Sequence, residues 1–182
     1  MLGYLYFQEG DMKKLFILIF IFLFILTGCS KTPAEQFGKT HINELPKEYI
    51  SDIAIENGDY VNLHGIISNE NIMIDFLEKV DKNEEAFIRT VQYTIEGDPV
   101  INDFYYDKNI FTVTTDNTRD AFGGNNTKRE TKKYKYFKTY SSIDTVNGEY
   151  IYLVVTNLEI LDNMIYFPDE NTVILKYDRI IN

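Results

Sequence analysis

Three hydrophobic patterns follow one another along this chain. Leu15 to Leu26 is an unbroken apolar run behind Lys13-Lys14. Two stretches then repeat apolar residues at helical spacing. In Lys47 to Asn57 these are Tyr49, Ile50, Ile53 and Ala54, with Asn57-Gly58 as a C-cap. In Glu70 to Lys82 they are Ile72, Met73, Phe76, Leu77 and Val80, one apolar face behind Asn69 as N-cap. Between the two, Tyr60 to His64 alternates briefly and stops at Gly65.

From Phe87 the period becomes two. Phe87 to Glu96 predicts a strand, broken by Gly97-Asp98-Pro99. Val100 to Tyr106 and Ile110 to Thr115 predict a hairpin turning at Asp107-Lys108-Asn109. Asp116 to Thr127 is a polar loop. Lys132 to Thr145 and Glu149 to Thr156 predict strands joined at Asn147-Gly148, a dipeptide suited to the positive φ values of a tight hairpin turn. Met164 to Phe167 and Thr172 to Tyr177 complete a last hairpin around Pro168 to Asn171. Helices come first and strands follow without helices between them. That order predicts an α+β fold, with two N-terminal helices packed on an antiparallel β-meander.

The first apolar run calls for a different explanation. Twelve residues fit a secretory signal, whose apolar core has about 7–15, better than a membrane span, which needs about 20. It ends in Leu26-Thr27-Gly28-Cys29, which resembles the lipobox of bacterial lipoprotein signals. Cleavage is expected between Gly28 and Cys29, with lipidation of the Cys29 thiol. One acyl chain binds a bilayer only marginally, so the two or three on such a cysteine are what hold a protein there. The expected organisation is a signal peptide at 1–28, a flexible tether at 29–45 and one α+β domain at 46–182. The partner at the anchor is the membrane, and the location is its extracytoplasmic face. Met1 to Asp11, an acidic and aromatic stub ahead of Lys13, fits no part of a signal and suggests translation from Met12.

Charge and cysteine usage narrow the chemistry. The net charge is −10, and it is unchanged by losing Glu9, Asp11, Lys13 and Lys14 together. Such a chain repels phosphates, which argues against nucleic acid. Cys29 is the only cysteine, so its lipidation excludes disulfides and thiol chemistry. No residue set calls for a cofactor or metal. His64 has no second ligand at metal spacing, the only other histidine being His41. Asp116-x-Thr118-x-Asp120 starts like a calcium loop but has Ala121 and Thr127 where glycine and glutamate are needed. Gly123-Gly124 lacks the lysine of a phosphate loop. Asp59, Glu96, Asp98 and Asp120 are the carboxylates that could form an acid–base pair if folding brought two together. Asn62 and Arg119 suit a structural role as partners of these acids. Lys128 to Lys138 is a basic strand in an acidic protein. It suits an edge strand guarded by lysines, or contact with anionic lipid or wall polymer.

Three segments carry a resemblance: Ala54 to Gly65 (AIENGDYVNLHG), Tyr93 to Pro99 (YTIEGDP) and Asp116 to Gly124 (DNTRDAFGG). In this order they resemble a domain-of-unknown-function family of small lipoproteins from Gram-positive bacteria, over about residues 52 to 156. The resemblance implies an envelope lipoprotein and no particular activity. The motif surface it suggests comprises Asp59, Asn62, His64, Glu96, Asp98, Asp116, Arg119 and Asp120. The expected function is non-enzymatic binding of an envelope protein or wall polymer. The alternatives are a hydrolase using the clustered carboxylates and a self-protection or inhibitor protein.

Overall fold

The computed structural model describes residues 31–124, 127–144, 148–159 and 172–179. The chain divides into two compact units, Met1–Thr32 and Pro33–Asn182, and the fold is that of the second. The apolar run, Gly28 and Cys29, Asn147 and the 164–167 strand lie outside the described residues. Among the described residues no helix is long and apolar enough to cross a membrane.

The unit is mixed α/β and mostly β. Helix α1 (Pro33–Gln36), a 3-10 turn (Ile42–Glu44) and helix α2 (Ser51–Glu56) lead into strands β1 (Tyr60–Leu63) and β2 (Ile66–Ser68). Helix α3 (Glu70–Asp81) precedes β3 (Ala86–Tyr93), β4 (Pro99–Tyr106), β5 (Phe111–Asp116) and β6 (Arg129–Tyr134). Strands β7 (Tyr136–Asp144), β8 (Gly148–Thr156) and β9 (Thr172–Arg179) finish it. The first six strands form one sheet in the order β2-β1-β3-β4-β5-β6, and the last three form another, β7-β8-β9.

Three expectations about the strands are corrected. The sheet is not purely antiparallel, because β1 pairs parallel with β3, with Tyr60 beside Thr90 and Asn62 beside Gln92. The connection from β1 contains β2 and α3, and a parallel neighbour requires a crossover of about that length. The predicted strand from Lys132 to Thr145 is two strands in different sheets, divided at Lys135. Asn157 pins this corner, accepting from the Lys135 N–H (3.1 Å) and donating to the Lys133 carbonyl (2.8 Å). Gly148 lies opposite Asp144 in the β7–β8 ladder, not in a two-residue turn.

The helix ends are set by local chemistry. Helix α2 ends in a Schellman arrangement. Gly58, at φ +70°, donates to the Ile55 carbonyl (2.9 Å), and Asp59 donates to that of Ala54 (3.0 Å). Residues 47–50 precede the helix that was expected to include them. Asn69 stands at the predicted N-cap but its side chain makes no capping bond. Its left-handed backbone (φ 59°) turns the amide toward the α2–β1 corner, where Nδ2 donates to the carbonyls of Ile55 (2.9 Å) and Asp59 (2.8 Å).

Strand alternation divides the core. On one sheet face Tyr60, Ile88, Phe104, Tyr106, Phe111 and Val113 pack with Met73, Phe76, Leu77 and Val80 of α3 and with Leu153 and Val155 of β8. Phe111 joins the layers, its ring 4.8 Å from Tyr106, 5.1 Å from Phe137 of β7 and 6.4 Å from Phe76 of α3. On the other face Val61, Val91, Tyr93 and Ile101 pack with Ile42, Leu45, Tyr49 and Ala54. Ala34, Ile42 and Leu45 are buried, so the stretch expected to be a loose spacer is part of the folded unit from Pro33 onward.

Candidate functional site

The second face holds charge as well as apolar residues. Arg89 falls in step with Val91 and Tyr93 on β3, and Asp103 in step with Ile101 on β4, so the alternation that buries the hydrophobes buries these too. They meet as a bidentate pair, Nε to Oδ1 at 2.6 Å and Nη2 to Oδ2 at 2.7 Å. Burial raises the Asp103 pKa even against the guanidinium. Arg89 also donates to the Thr40 carbonyl (2.9 Å).

That last bond belongs to a series that fixes residues 39–50 along the sheet. Lys39 donates to the Gly58 carbonyl (2.7 Å) and to Asp59 (3.0 Å). Arg129 donates to Asn43. Arg119 donates to the carbonyls of Leu45 (3.1 Å) and Pro46 (3.0 Å). The Tyr93 hydroxyl donates to the Tyr49 carbonyl (2.8 Å). Tyr49 in turn donates to Asp59, and burial together with that carboxylate pushes its phenol up to about 12. None of Lys39, Tyr49, Arg89, Tyr93 or Asp103 stood out in the sequence as a candidate. The one available signal was an Arg and an Asp keeping the phase of buried residues on neighbouring strands.

The motif residues take up related duties. Asp116 is buried at the end of β5, where it accepts from Thr118 Oγ1 (2.6 Å), the Thr118 N–H (3.0 Å), Arg119 (2.5 Å) and Arg129 (2.7 Å). Burial alone would raise its pKa, but these donors outweigh it and hold the carboxyl at about 2. The Asp116-x-Thr118-x-Asp120 run is thus a turn closed on its own donors. Asp120 accepts from the Phe122 N–H (2.9 Å) and Asp98 from the Ala121 N–H (2.8 Å), which ties the β3–β4 turn to the β5–β6 loop. Asn62 accepts from the Gly65 N–H (2.8 Å), and His64 sits exposed in that turn at φ 53°. Glu96 is exposed in the tight turn after β3.

Asp59 does not share a cleft with Glu96. Asp59 precedes Tyr60, which sits beside Thr90, whereas Glu96 lies beyond Tyr93. Three residues of strand alone separate those levels by about 10 Å, more than a glycosidase pair spans. Asp98 of the β3–β4 turn and Asp120 within the β5–β6 loop do come together, each accepting a backbone amide of that loop. Among the described residues no group of three or more His, Cys, Asp or Glu side chains is placed to hold a metal ion.

A stability prediction follows for Asp116. A carboxyl depressed from 3.8 to about 2 contributes stability that is complete above about pH 4 and is lost as pH falls through about 2. We expect acid titration of Asp116→Asn to show a smaller loss over that window than the parent, by on the order of 1–2 kcal/mol. Equal acid sensitivity would remove Asp116 from that role.

Two features are open to a ligand. One is the loop end of the six-stranded sheet, where the β3–β4 and β5–β6 connections meet Lys47 to Ile50 and the β1–β2 turn lies at the same end. Of the six exposed large hydrophobic residues among the described ones, Ile50, Ile66, Ile95 and Phe122 lie here, Ile95 being 90% and Phe122 76% exposed. Four exposed apolar side chains along one end of a sheet mark a candidate contact surface better than single scattered ones do. A cleft of about 260 Å³ beside them runs between Tyr49 and Ile50 on one side and Gly97 to Pro99 and Arg119 on the other. The second feature is a groove of about 260 Å³ between the two sheets, with Asn62, Thr90, Gln92 and Asn102 facing Val173 to Leu175.

Comparison with known proteins adds the family. Residues 57–148 match the family described as "Domain of unknown function (DUF4362)", inside the stretch over which the three segments implied a resemblance. No curated protein matches the chain, and no solved structure does.

Proposed function

The chain belongs to the DUF4362 family, and from that premise we propose a non-enzymatic binding module of the cell envelope. It is anchored through lipid on Cys29 at the outer face of the cytoplasmic membrane, as in Gram-positive lipoproteins, and it docks another envelope protein at its loop end. The observation that carries the docking site is the exposure of Ile50, Ile95 and Phe122 on connections, and of Ile66 at the start of β2, at an end of the sheet stiffened by Asp98, Asp116, Arg119 and Asn62. Apolar side chains held in fixed positions bind without paying much ordering entropy, and they suit an apolar protein surface better than a charged wall polymer. A non-enzymatic role is supported by the motif carboxylates, several of which accept backbone amides or buried cations. In this reading the two expected N-terminal helices serve the scaffold, α3 through Met73, Phe76, Leu77 and Val80 and α2 through Ala54.

The test uses the lipidated protein in native membranes. Crosslinking should capture one dominant partner, and Ile95→Asp with Phe122→Asp should abolish capture while leaving the circular dichroism spectrum intact. Undiminished capture by the double variant would move the docking surface elsewhere. Metabolic labelling with a palmitate analogue checks the anchor separately, with Cys29→Ser expected to lose the label.

A further inference from the structure

The lysine-rich segment lies at a particular place in the fold. Lys132 and Lys133 lie in the second half of β6, Lys135 makes the step between the sheets, and Lys138 lies early in β7; all four are exposed. Residues 131–140 contain no acid. Glu130, just before them, pairs with Lys128 (3.0 Å) and reaches Lys132 (3.5 Å). Lys135 lies over the Tyr136 ring (5.1 Å) and Lys138 over that of Tyr140 (4.9 Å), which gives the strip the cationic and aromatic character of residues that settle at membrane interfaces.

Strand register relates this strip to the N-terminus of the folded unit. Phe87, Tyr105, Thr112 and Lys133 form one row across the sheet. Phe37 rests on the first two, 5.9 Å from the Phe87 ring and 6.2 Å from that of Tyr105. Lys133 is therefore two strand spacings, about 10 Å, from the ring on which Phe37 lies. Phe37 directly follows α1, which starts at Pro33. Four residues from Cys29 to Pro33 can reach no further than about 14 Å. The apolar loop tips are at the opposite end of the strands, about 20 Å from this row by the six residues from Phe87 to Tyr93.

We infer that the β6–β7 edge, through Lys132, Lys133, Lys135 and Lys138, lies against the headgroups of an anionic phospholipid bilayer. This rests on the lipid anchor at Cys29. A net charge of −10 would push an untethered domain away from such a surface, so the lysine edge acts as an orienting contact once the anchor holds the protein there. Glu84, Glu85 and Asp107, at the same end of the strands, belong to the α3–β3 and β4–β5 connections and not to this edge, and Glu85 is taken up by Gln36 (3.3 Å) and the Tyr105 hydroxyl (3.0 Å). With the lysine edge down, the loop tips point away from the membrane.

The experiment incorporates the purified lipidated protein into vesicles of phosphatidylcholine, with or without one third phosphatidylglycerol. Lysines are labelled with a membrane-impermeant amine reagent and read one by one by mass spectrometry. Labelling of Lys132, Lys133, Lys135 and Lys138 should slow several-fold on the anionic vesicles and recover in high salt, with Lys47, at the opposite end of the strands, unchanged. Equal labelling on both vesicles, or equal slowing at Lys47, overturns the inference. Flotation distinguishes the two ideas: protein that floats with both vesicles but labels equally refutes only the orientation, whereas protein that floats with neither refutes the anchor and the orientation with it. Equal slowing by soluble poly(glycerol phosphate), added to the phosphatidylcholine vesicles, would assign the edge to a wall polymer and overturn the lipid assignment.

Discussion

Replacing Arg89 with methionine should destabilise the protein by about 3–5 kcal/mol, the usual result of stranding one member of a buried ion pair. Arg89 is 1% exposed and gives both bidentate bonds to Asp103 as well as the bond that holds the Thr40 carbonyl. The variant leaves a buried carboxyl without its cation. Burial already raises the pKa of that carboxyl, so the deficit should shrink as pH falls and Asp103 becomes neutral. A second change, Asp103→Leu, should recover much of the loss, because an apolar pair of similar volume avoids the desolvation cost. Urea denaturation of the parent, both single variants and the double variant forms the cycle. A loss below about 1 kcal/mol for Arg89→Met would mean that water reaches the pair and that the segment over this face is loosely held.

Phe111→Ala should cost about 3–5 kcal/mol, the range for removing a large buried aromatic side chain. Phe111 is fully buried and stacks on Tyr106, with Phe137 and Phe76 at its edges. Those three rings come from β4, β7 and α3, so the cavity would open where both sheets and the long helix meet. Phe111→Leu fills part of the space and should cost distinctly less. The denaturation midpoint measures the loss, and the near-ultraviolet dichroism of the surrounding tyrosines reports loosening of the layer. An effect no larger than that of an exposed site such as Phe122→Ala would indicate that the three-stranded sheet does not rest on Phe111.

Several elements could be read from local pattern. Helix α3 lies where Ile72, Met73, Phe76, Leu77 and Val80 repeat, because one helix face had to be buried and no competing periodicity existed. The Gly58 cap and the β3, β4, β5 and β8 strands were legible for the same reason: each depends on residues close in sequence. The break at Lys135 was not legible. An unbroken alternation of lysines and aromatics carries no sign of a change of sheet, and the corner is set by Asn157, 22 residues away. The parallel β1–β3 pair was missed similarly, since partner choice depends on the crossover through α3. The stretch 30–45 looked like a spacer because it is polar, with a proline and a glycine. Its apolar residues Ile42 and Leu45 acquire meaning only from the sheet face that receives them.

The motif residues follow the same division. Sequence alone marked Asp59, Asn62, His64, Glu96, Asp98, Asp116, Arg119 and Asp120, and by itself it determined helix and strand periods, the acidic balance and a single cysteine placed in Leu-Thr-Gly-Cys. Those are properties of neighbours along the chain. Tertiary structure decided what the residues do: Asp116 gathers Arg119 and Arg129, Arg89 meets Asp103, and Arg119 holds the Leu45 and Pro46 carbonyls 74 and 73 residues away. A buried charge needs a partner whatever its position in the sequence, and only folding determines which partner comes within reach.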